Sequence, residues 1–496
     1  MKWCKEVAPF CTTDITERKF LDMTKKLIAL GLVVLMIFVL VGCGSEKREI
    51  VKLTLSTEDS EAILAAAGIT LPDAEVAAGA GVTIKYHSWY DSFHNYSEDE
   101  IINTGYWTFS EKYGSEIEWI ECTYGSRFDD LANLVLAGTS PDFTTCSVNT
   151  FPYYCIKGMF QPVTDYLDYT DPLWAGSAEF VQNYFSMGGE PYIILCDVKA
   201  TNVCGYNRRV IEEWGFDDPA ELYYNDEWTW DVFYDMCLDF SDPDEDRYAL
   251  DGWYWQQALV DSTGTTIIAI EDGQFVANID APILETVETL LYDINKNEAN
   301  FPIWANGYKP RNDTVGGGIK EGQCLFYLVE KWGFTDTVET ISGIWGDITA
   351  GEVMFCPLPR ATDGDGIYYL ASQPVGYHII TGSENPEAVV LFSMCERFKI
   401  LDPTVVSIDR RQLEEVYMWT EEMLAMDTIC YELAAAHPIV NFSVGCQPNL
   451  QSAVDNLIKG TTGGNPSTWA QLKEKYAESI EYYVEELNAM FAEMDQ

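Results

Sequence analysis

Histidine is scarce in this chain: His87, His94, His378 and His437 are the only four. No HExxH or other close metal-ligand spacing joins them, and a lone histidine is more often structural than catalytic. Basic residues are also few, 30 against 79 acidic ones, for a net charge of −49 with no run of Lys and Arg. Such a surface repels phosphate backbones, which excludes nucleic acid as a partner. The same field disfavours a strongly anionic ligand. There is no G-x-S-x-G elbow to expose a serine nucleophile. Asp363-Gly364-Asp365 begins like a calcium loop but lacks the later ligands and the closing Glu. Neither metal nor cofactor is expected. A glycosidase needs two carboxylates about 5–10 Å apart, and with 79 acids such pairs carry no information in a sequence. No catalysis is therefore expected.

Tight C-x-x-C spacing is missing too. Eleven cysteines follow Cys43, from Cys122 to Cys446, a number that cannot all pair within one chain. They are expected to be small buried apolar side chains rather than a disulfide framework.

What the chain does have begins with a leader. Lys25 and Lys26 precede an uninterrupted apolar stretch from Leu27 to Val41, which is too short for a comfortable membrane span. It closes with Leu40-Val41-Gly42-Cys43, which looks like a bacterial lipobox. In that signal the cysteine thiol takes a diacylglyceryl group and the leader is cut before it. Two acyl chains then anchor stably where one would not. Met23 is the expected start of the leader. Residues 44–81 follow as a tether, with little fixed structure expected across the Ala- and Gly-rich stretch Ala62–Ala80.

From Val82 the pattern is α/β. Val82, Ile84 and Tyr86 alternate with Thr83 and Lys85, as a strand does. Ile117–Cys122 reads as a second strand. A helix carrying Phe128, Leu131, Leu134 and Val135 follows, with Ser126 as its candidate cap and Gly138 as its stop. The C-terminal segment is the clearest helix. Thr468 and Gln471 fit a capping box, and Trp469, Leu472, Tyr476, Ile480, Tyr483, Leu487 and Met490 share one face. Alternating strands and helices predict sheets covered by helices.

Several segments, in a fixed order, resemble family 1 extracellular solute-binding proteins, the class that contains maltose-binding protein. Val82 to Trp89 looks like the first strand and its turn. Asp130 to Asp142 resembles the helix and "G-x-x-P-D" turn, with Asp142 read first as turn structure. Gly158 to Leu167, Gly205 to Gly215, Trp228 to Phe233 and Gly322 to Trp332 are similar to four further elements. Pro357 to Pro359 and Gly376 to Phe398 complete the order. Glu330 departs from it, standing where the family usually has Gly, and Leu325-Phe326 replaces Ala-Met.

The resemblance implies a two-lobed periplasmic-binding-protein-like (type II) fold with a hinge and a cleft between the lobes. Residues 1–43 are then the leader, and 82–198 plus 357–400 form lobe 1. Lobe 2 takes 199–356 plus 401–496. The implied function is capture of a small solute, foremost a mono- or oligosaccharide, for the permease of an ABC importer. The protein would be a monomer held by lipid on Cys43 at the outer face of the cell membrane of a Gram-positive bacterium. A surface enzyme acting on polysaccharide, or a lipoprotein that signals to a membrane kinase, are the alternatives.

Sugars offer flat C–H faces to aromatic rings and a rim of hydroxyls to short polar side chains. Trp89 and Tyr90 follow the first strand, at the carboxyl end where open α/β sheets bind ligands. Trp253, Tyr254 and Trp255 crowd three rings together, and Trp253 and Trp255 are the candidates among them. The resemblance places Trp332 where the family has a stacking Trp. Asp197, Ser372 and Gln373, beside the predicted crossings between lobes, are the candidate hydroxyl partners.

Overall fold

Alternating burial builds the first strand. In β1 (Thr83–Ser88), Ile84 and Tyr86 point into the core while Thr83 and Lys85 face solvent. The computed structural model describes residues 58–94, 103–311 and 317–494. The leader, Cys43 and the first part of the tether lie outside the described residues.

The strands after β1 are β2 (Glu116–Glu121), β3 (Phe143–Thr145), β4 (Ser186–Met187), β5 (Glu190–Pro191), β6 (Ile194–Ala200) and β7 (Asn202–Asn207). Then come β8 (Tyr248–Gly252), β9 (Ile268–Glu271), β10 (Gln274–Ala277), β11 (Cys324–Glu330), β12 (Val353–Cys356) and β13 (Ser372–Ile379). One five-stranded sheet has the order β2-β1-β3-β13-β6, and one four-stranded sheet has the order β12-β7-β11-β8. In the first sheet β1 runs parallel to β2 and β3, while β13 is antiparallel to β3 and β6. In the second sheet β11 and β8 are parallel. Two further ribbons pair β4 with β5 and β9 with β10.

Each sheet has its own aromatic filling. Tyr86, Phe109, Phe143, Trp174 and Phe392 pack beside the first. Trp228, Phe233, Phe326, Phe355 and Leu487 belong to the larger core around the second. The chain passes from one sheet to the other at Thr201, whose N–H donates to the Ala371 carbonyl at 3.0 Å.

Asp142 is structural, as its turn suggested. Its carboxylate accepts from the Lys85 N–H (2.8 Å) and the Ser383 hydroxyl (2.7 Å), tying β1 to the return segment after β13. His378 is structural as well. It is fully buried, accepts or donates at Thr150 Oγ1 (2.7 Å), and donates from Nδ1 to the Tyr192 carbonyl (2.8 Å). Burial pushes its pKa down to about 3, so it stays neutral. All eleven described cysteines are unbridged, and only Cys122 is not fully buried.

Two local expectations are corrected. Residues 58–81 are not a loose tether. They contain a helix, Glu58–Ala66, and Leu64, Ile69, Leu71 and Ala77 pack on the first core. The Tyr113 hydroxyl donates to the Pro72 carbonyl at 2.8 Å. Gly79 shows why Gly is needed there: its φ is +83°, and a Cβ would lie 2.3 Å from the Ala388 Cα. The Ala- and Gly-rich composition hid a few well-placed apolar contacts. Ser126, in turn, precedes the helix Arg127–Leu136 but does not cap it. Its hydroxyl donates instead to the Asp130 carboxylate at 2.6 Å.

The capping box at Thr468 does form. Its N–H donates to Gln471 Oε1 (3.0 Å), and its hydroxyl accepts from the Gln471 N–H (3.4 Å). The helix Trp469–Met494 that follows buries Trp469, Leu472, Ile480 and Leu487. Thr468→Ala is expected to cost about 1 kcal/mol. A urea midpoint equal to that of the parent protein would show that the box adds nothing.

Candidate functional site

Strand direction decides which residues gather. Because β1 and β2 are parallel, their carboxyl ends lie side by side. Trp89 leaves the first and Tyr124 follows the second. Their rings meet edge to face, 5.1 Å between centroids. The Arg127 guanidinium sits over both, 3.9 Å from the Tyr124 ring and 5.6 Å from Trp89. Phe128 adds a third face at 4.3 Å and stacks on Tyr154 at 3.8 Å. The rim is thus a continuous run of rings with one cation set into it.

The second sheet repeats the geometry. β8 and β11 are parallel, so Trp253 and Tyr254 emerge beside Glu330 and Trp332. The Trp253 N–H donates to the Leu328 carbonyl at 3.0 Å. Gly252 allows this approach: its φ is +136°, and a Cβ would lie 2.3 Å from the Leu328 oxygen. Tyr254 itself holds φ +55°, an unusual conformation for a bulky residue. It throws the ring outward, 65% exposed, at the head of the helix Trp255–Asp261.

Tyr254 reaches close enough to the first rim to feel its charges. Burial among surrounding protein raises the Tyr254 hydroxyl pKa, aided by Tyr124, Asp455 and Glu330 and opposed by Arg127. Tyr124 and Arg127 belong to the first rim, Glu330 and Asp455 to the second side. A side chain open to water yet surrounded by protein from both rims lies in a crevice. Ring faces thus stand on both sides of it, Trp89 and Tyr124 on one and Tyr254 on the other. Two discrete surface grooves lie elsewhere, about 360 Å³ beside Trp469 and about 560 Å³ beside Tyr169. Neither has ring faces on opposing walls.

The expected site residues separate into three groups. Trp89, Tyr90, Trp253 and Trp332 lie at the rims. Trp89 is 45% exposed, Tyr90 59% and Trp332 50%. Trp253 is half-buried on the core, and its indole N–H has no partner among the described residues. Trp255 is a correction: it is fully buried in the second core and presents no face to a ligand. Helical geometry turns it inward while Tyr254, one residue earlier, turns out.

The third group lies at the crossing between sheets. Ser372 is a second correction. It is buried, its hydroxyl donates to the Ala434 carbonyl (2.8 Å), and it accepts from the Ile439 N–H (3.1 Å). That ties the chain crossings together and leaves nothing for a solute. Asp197 is half-buried and accepts from the Tyr431 hydroxyl at 2.9 Å. Burial raises its pKa, against the pull of that hydrogen bond. Gln373 is half-buried on β13, opposite Lys199.

Tyr124, Phe128, Tyr154, Tyr254 and Arg127 were not among the expected residues. The rule that pointed to Trp89, the carboxyl end of a parallel strand, applies equally to Tyr124 after β2. The outward turn of Tyr254 had no such signal, since it depends on a backbone angle.

The sequence profile of the bacterial extracellular solute-binding protein family matches residues 91–393. No curated protein sequence matches the chain. Solved structures that align with it include the GacH receptor of Streptomyces glaucescens, solved unliganded and with acarbose. It is 11% identical, with 82% of this chain and 99% of that one covered at TM-score 0.58. The galacto-N-biose/lacto-N-biose I-binding protein of Bifidobacterium longum, with lacto-N-biose, is 14% identical over 81% and 98%, TM-score 0.55. A solute-binding protein of an ABC transporter from Agrobacterium radiobacter, with ribitol, is 14% identical over 82% and 100%, TM-score 0.54. At these identities the likeness is one of fold. It gives this chain the two-lobed α/β architecture.

Proposed function

The chain belongs to the family of bacterial extracellular solute-binding proteins, and from that premise we propose that it captures a saccharide between its two rims for an ABC importer. The observation that carries this reading is the pair of ring-lined edges, with Trp89 and Tyr124 on one and Trp253, Tyr254 and Trp332 on the other. Flat faces on both walls suit the C–H faces of a sugar. Solutes bound in the aligned structures, acarbose, lacto-N-biose and ribitol, agree in polyhydroxyl chemistry. A solute touching both lobes stabilises the closed arrangement because it binds that form better, and the closed form is what a permease can recognise.

In this reading lobe 1 takes 82–198 plus 357–400, and lobe 2 takes 199–356 plus 401–496. Strands of the first sheet fall within 83–200 and 372–379, and those of the second within 202–356, which supports the division. Lipid on Cys43 tethers the monomer to the outer membrane face, and the chain performs no catalysis.

The test is a melting-temperature screen of the leaderless protein against a carbohydrate library, where a binder raises the midpoint reversibly. A flat response to every saccharide would refute the sugar assignment. Trp332→Ala is then expected to weaken affinity about tenfold, or about 1.4 kcal/mol. The ring is half exposed, so its loss opens no core cavity and the unliganded midpoint should hold. Unchanged affinity removes Trp332 from the site.

A further inference from the structure

The geometry points to a ligand that carries a carboxylate, a uronic-acid type of saccharide, with Arg127 as the residue that selects it; this rests on the saccharide reading above. Arg127 is unlike the other described arginines. Arg397 is satisfied by three backbone carbonyls, and every other one holds at least one carboxylate within ion-pair distance. Among the described residues Arg127 has no carboxylate partner and one acceptor, the carbonyl of Tyr124. This is notable in a chain with 79 acids against 30 bases, where acidic partners abound. On its own helix, Asp130 accepts from the Ser126 hydroxyl at 2.6 Å and makes no ion pair with Arg127.

Rings prepare the guanidinium for a planar anion. Tyr124, Phe128 and Trp89 lie 3.9, 4.3 and 5.6 Å from it. They cover its surface and hold it half-buried at the cleft rim. A guanidinium edge that is not spent on protein offers paired N–H groups, the geometry that matches a carboxylate. Net charge does not forbid this. At physiological salt a field is screened within about 8 Å, so at contact distance the adjacent cation outweighs the remote acidic surface.

The opposite wall sets the ligand's orientation. Glu330 has no cation within ion-pair distance among the described residues, and Asp455 is held by Lys459 at 2.8 Å. Carboxylates there accept hydrogen bonds from hydroxyls but repel a second acid. The cleft thus suits a molecule acidic at one end and hydroxylated along the rest.

The test is calorimetric titration with galacturonate and glucuronate mono- to trisaccharides beside their neutral counterparts, at matched salt. Acidic members are expected to bind about tenfold tighter or more than neutral ones, and 0.5 M NaCl should narrow the gap. Arg127→Met keeps the side chain's length against the rings. It should erase the preference, bringing the ratio of acidic to neutral affinity down to about one. Arg127→Lys, which keeps charge but loses the fork, should fall between. Equal affinity for acidic and neutral sugars, or an equal loss of both in Arg127→Met, overturns the inference and leaves the saccharide reading standing. Binding of neither class overturns both.

Discussion

Replacing Arg397 by alanine is expected to lower the unfolding free energy by about 3–5 kcal/mol. Arg397 lies on the helix Pro386–Leu401 and is 9% exposed. Its guanidinium donates to the carbonyls of Cys196 (2.6 Å), Leu173 (3.1 Å) and Ala175 (3.1 Å). One side chain therefore fastens β6 and the turn at Pro172–Trp174 to the helix. Alanine strands those acceptors and leaves a cavity, and both costs fall on the first sheet's core. Arg397→Lys should recover only part of the loss, because a single ammonium cannot reach all three oxygens at once. Urea unfolding with an unchanged slope measures the difference. A loss below about 1 kcal/mol would mean that water takes over the carbonyls at little cost.

The second large effect is on pH. Glu288 is fully buried in the helix Pro282–Lys296, accepts from the Thr461 hydroxyl at 2.8 Å, and has no described partner for its other oxygen. Burial pushes its pKa up to about 8. Asp261, fully enclosed and bonded to Gln257, is raised to about 7, also by burial. An unfolded glutamate titrates near 4.3. Between that value and about 8 the folded chain keeps a proton that the unfolded chain has released. The contribution is thus fully present in acid and is lost as pH rises through that window. Glu288→Gln removes the proton dependence while keeping the acceptor for Thr461. It should flatten the stability profile and make the protein on the order of 3 kcal/mol more stable than the parent at pH 8.5. Parallel pH profiles for the two proteins would show that Glu288 is charged in the folded state.

The aromatic rim shows how far local rules reach. Trp89 was legible because a residue following a parallel strand emerges at the sheet's carboxyl edge, whatever the rest of the chain does. The capping box at Thr468 and the apolar face behind it were legible for the same reason: each involves residues a few positions apart. Tyr254 and Trp255 were not separable by such rules. Both are large aromatic residues in one triplet, and only the left-handed backbone at Tyr254 sends one out and the other in.

Pairing across long sequence distances decided the rest. Ser372 was a plausible hydroxyl partner for a sugar until the fold placed it against Ala434 and Ile439, where its hydrogen bonds are consumed. Residues 58–81 looked loose because their composition is small and weakly apolar, yet Leu64 and Gly79 fit the surface of the first core. By itself the sequence determined the α/β alternation, the charge, the capping box at Thr468 and the order of family segments, since these depend on residue type and short spacing. Only the tertiary structure decided which rings stand exposed at the strand ends, which polar groups are already spent, and that Arg127 has no carboxylate partner among the described residues, because burial and partnership are properties of neighbours that the chain brings together from far apart.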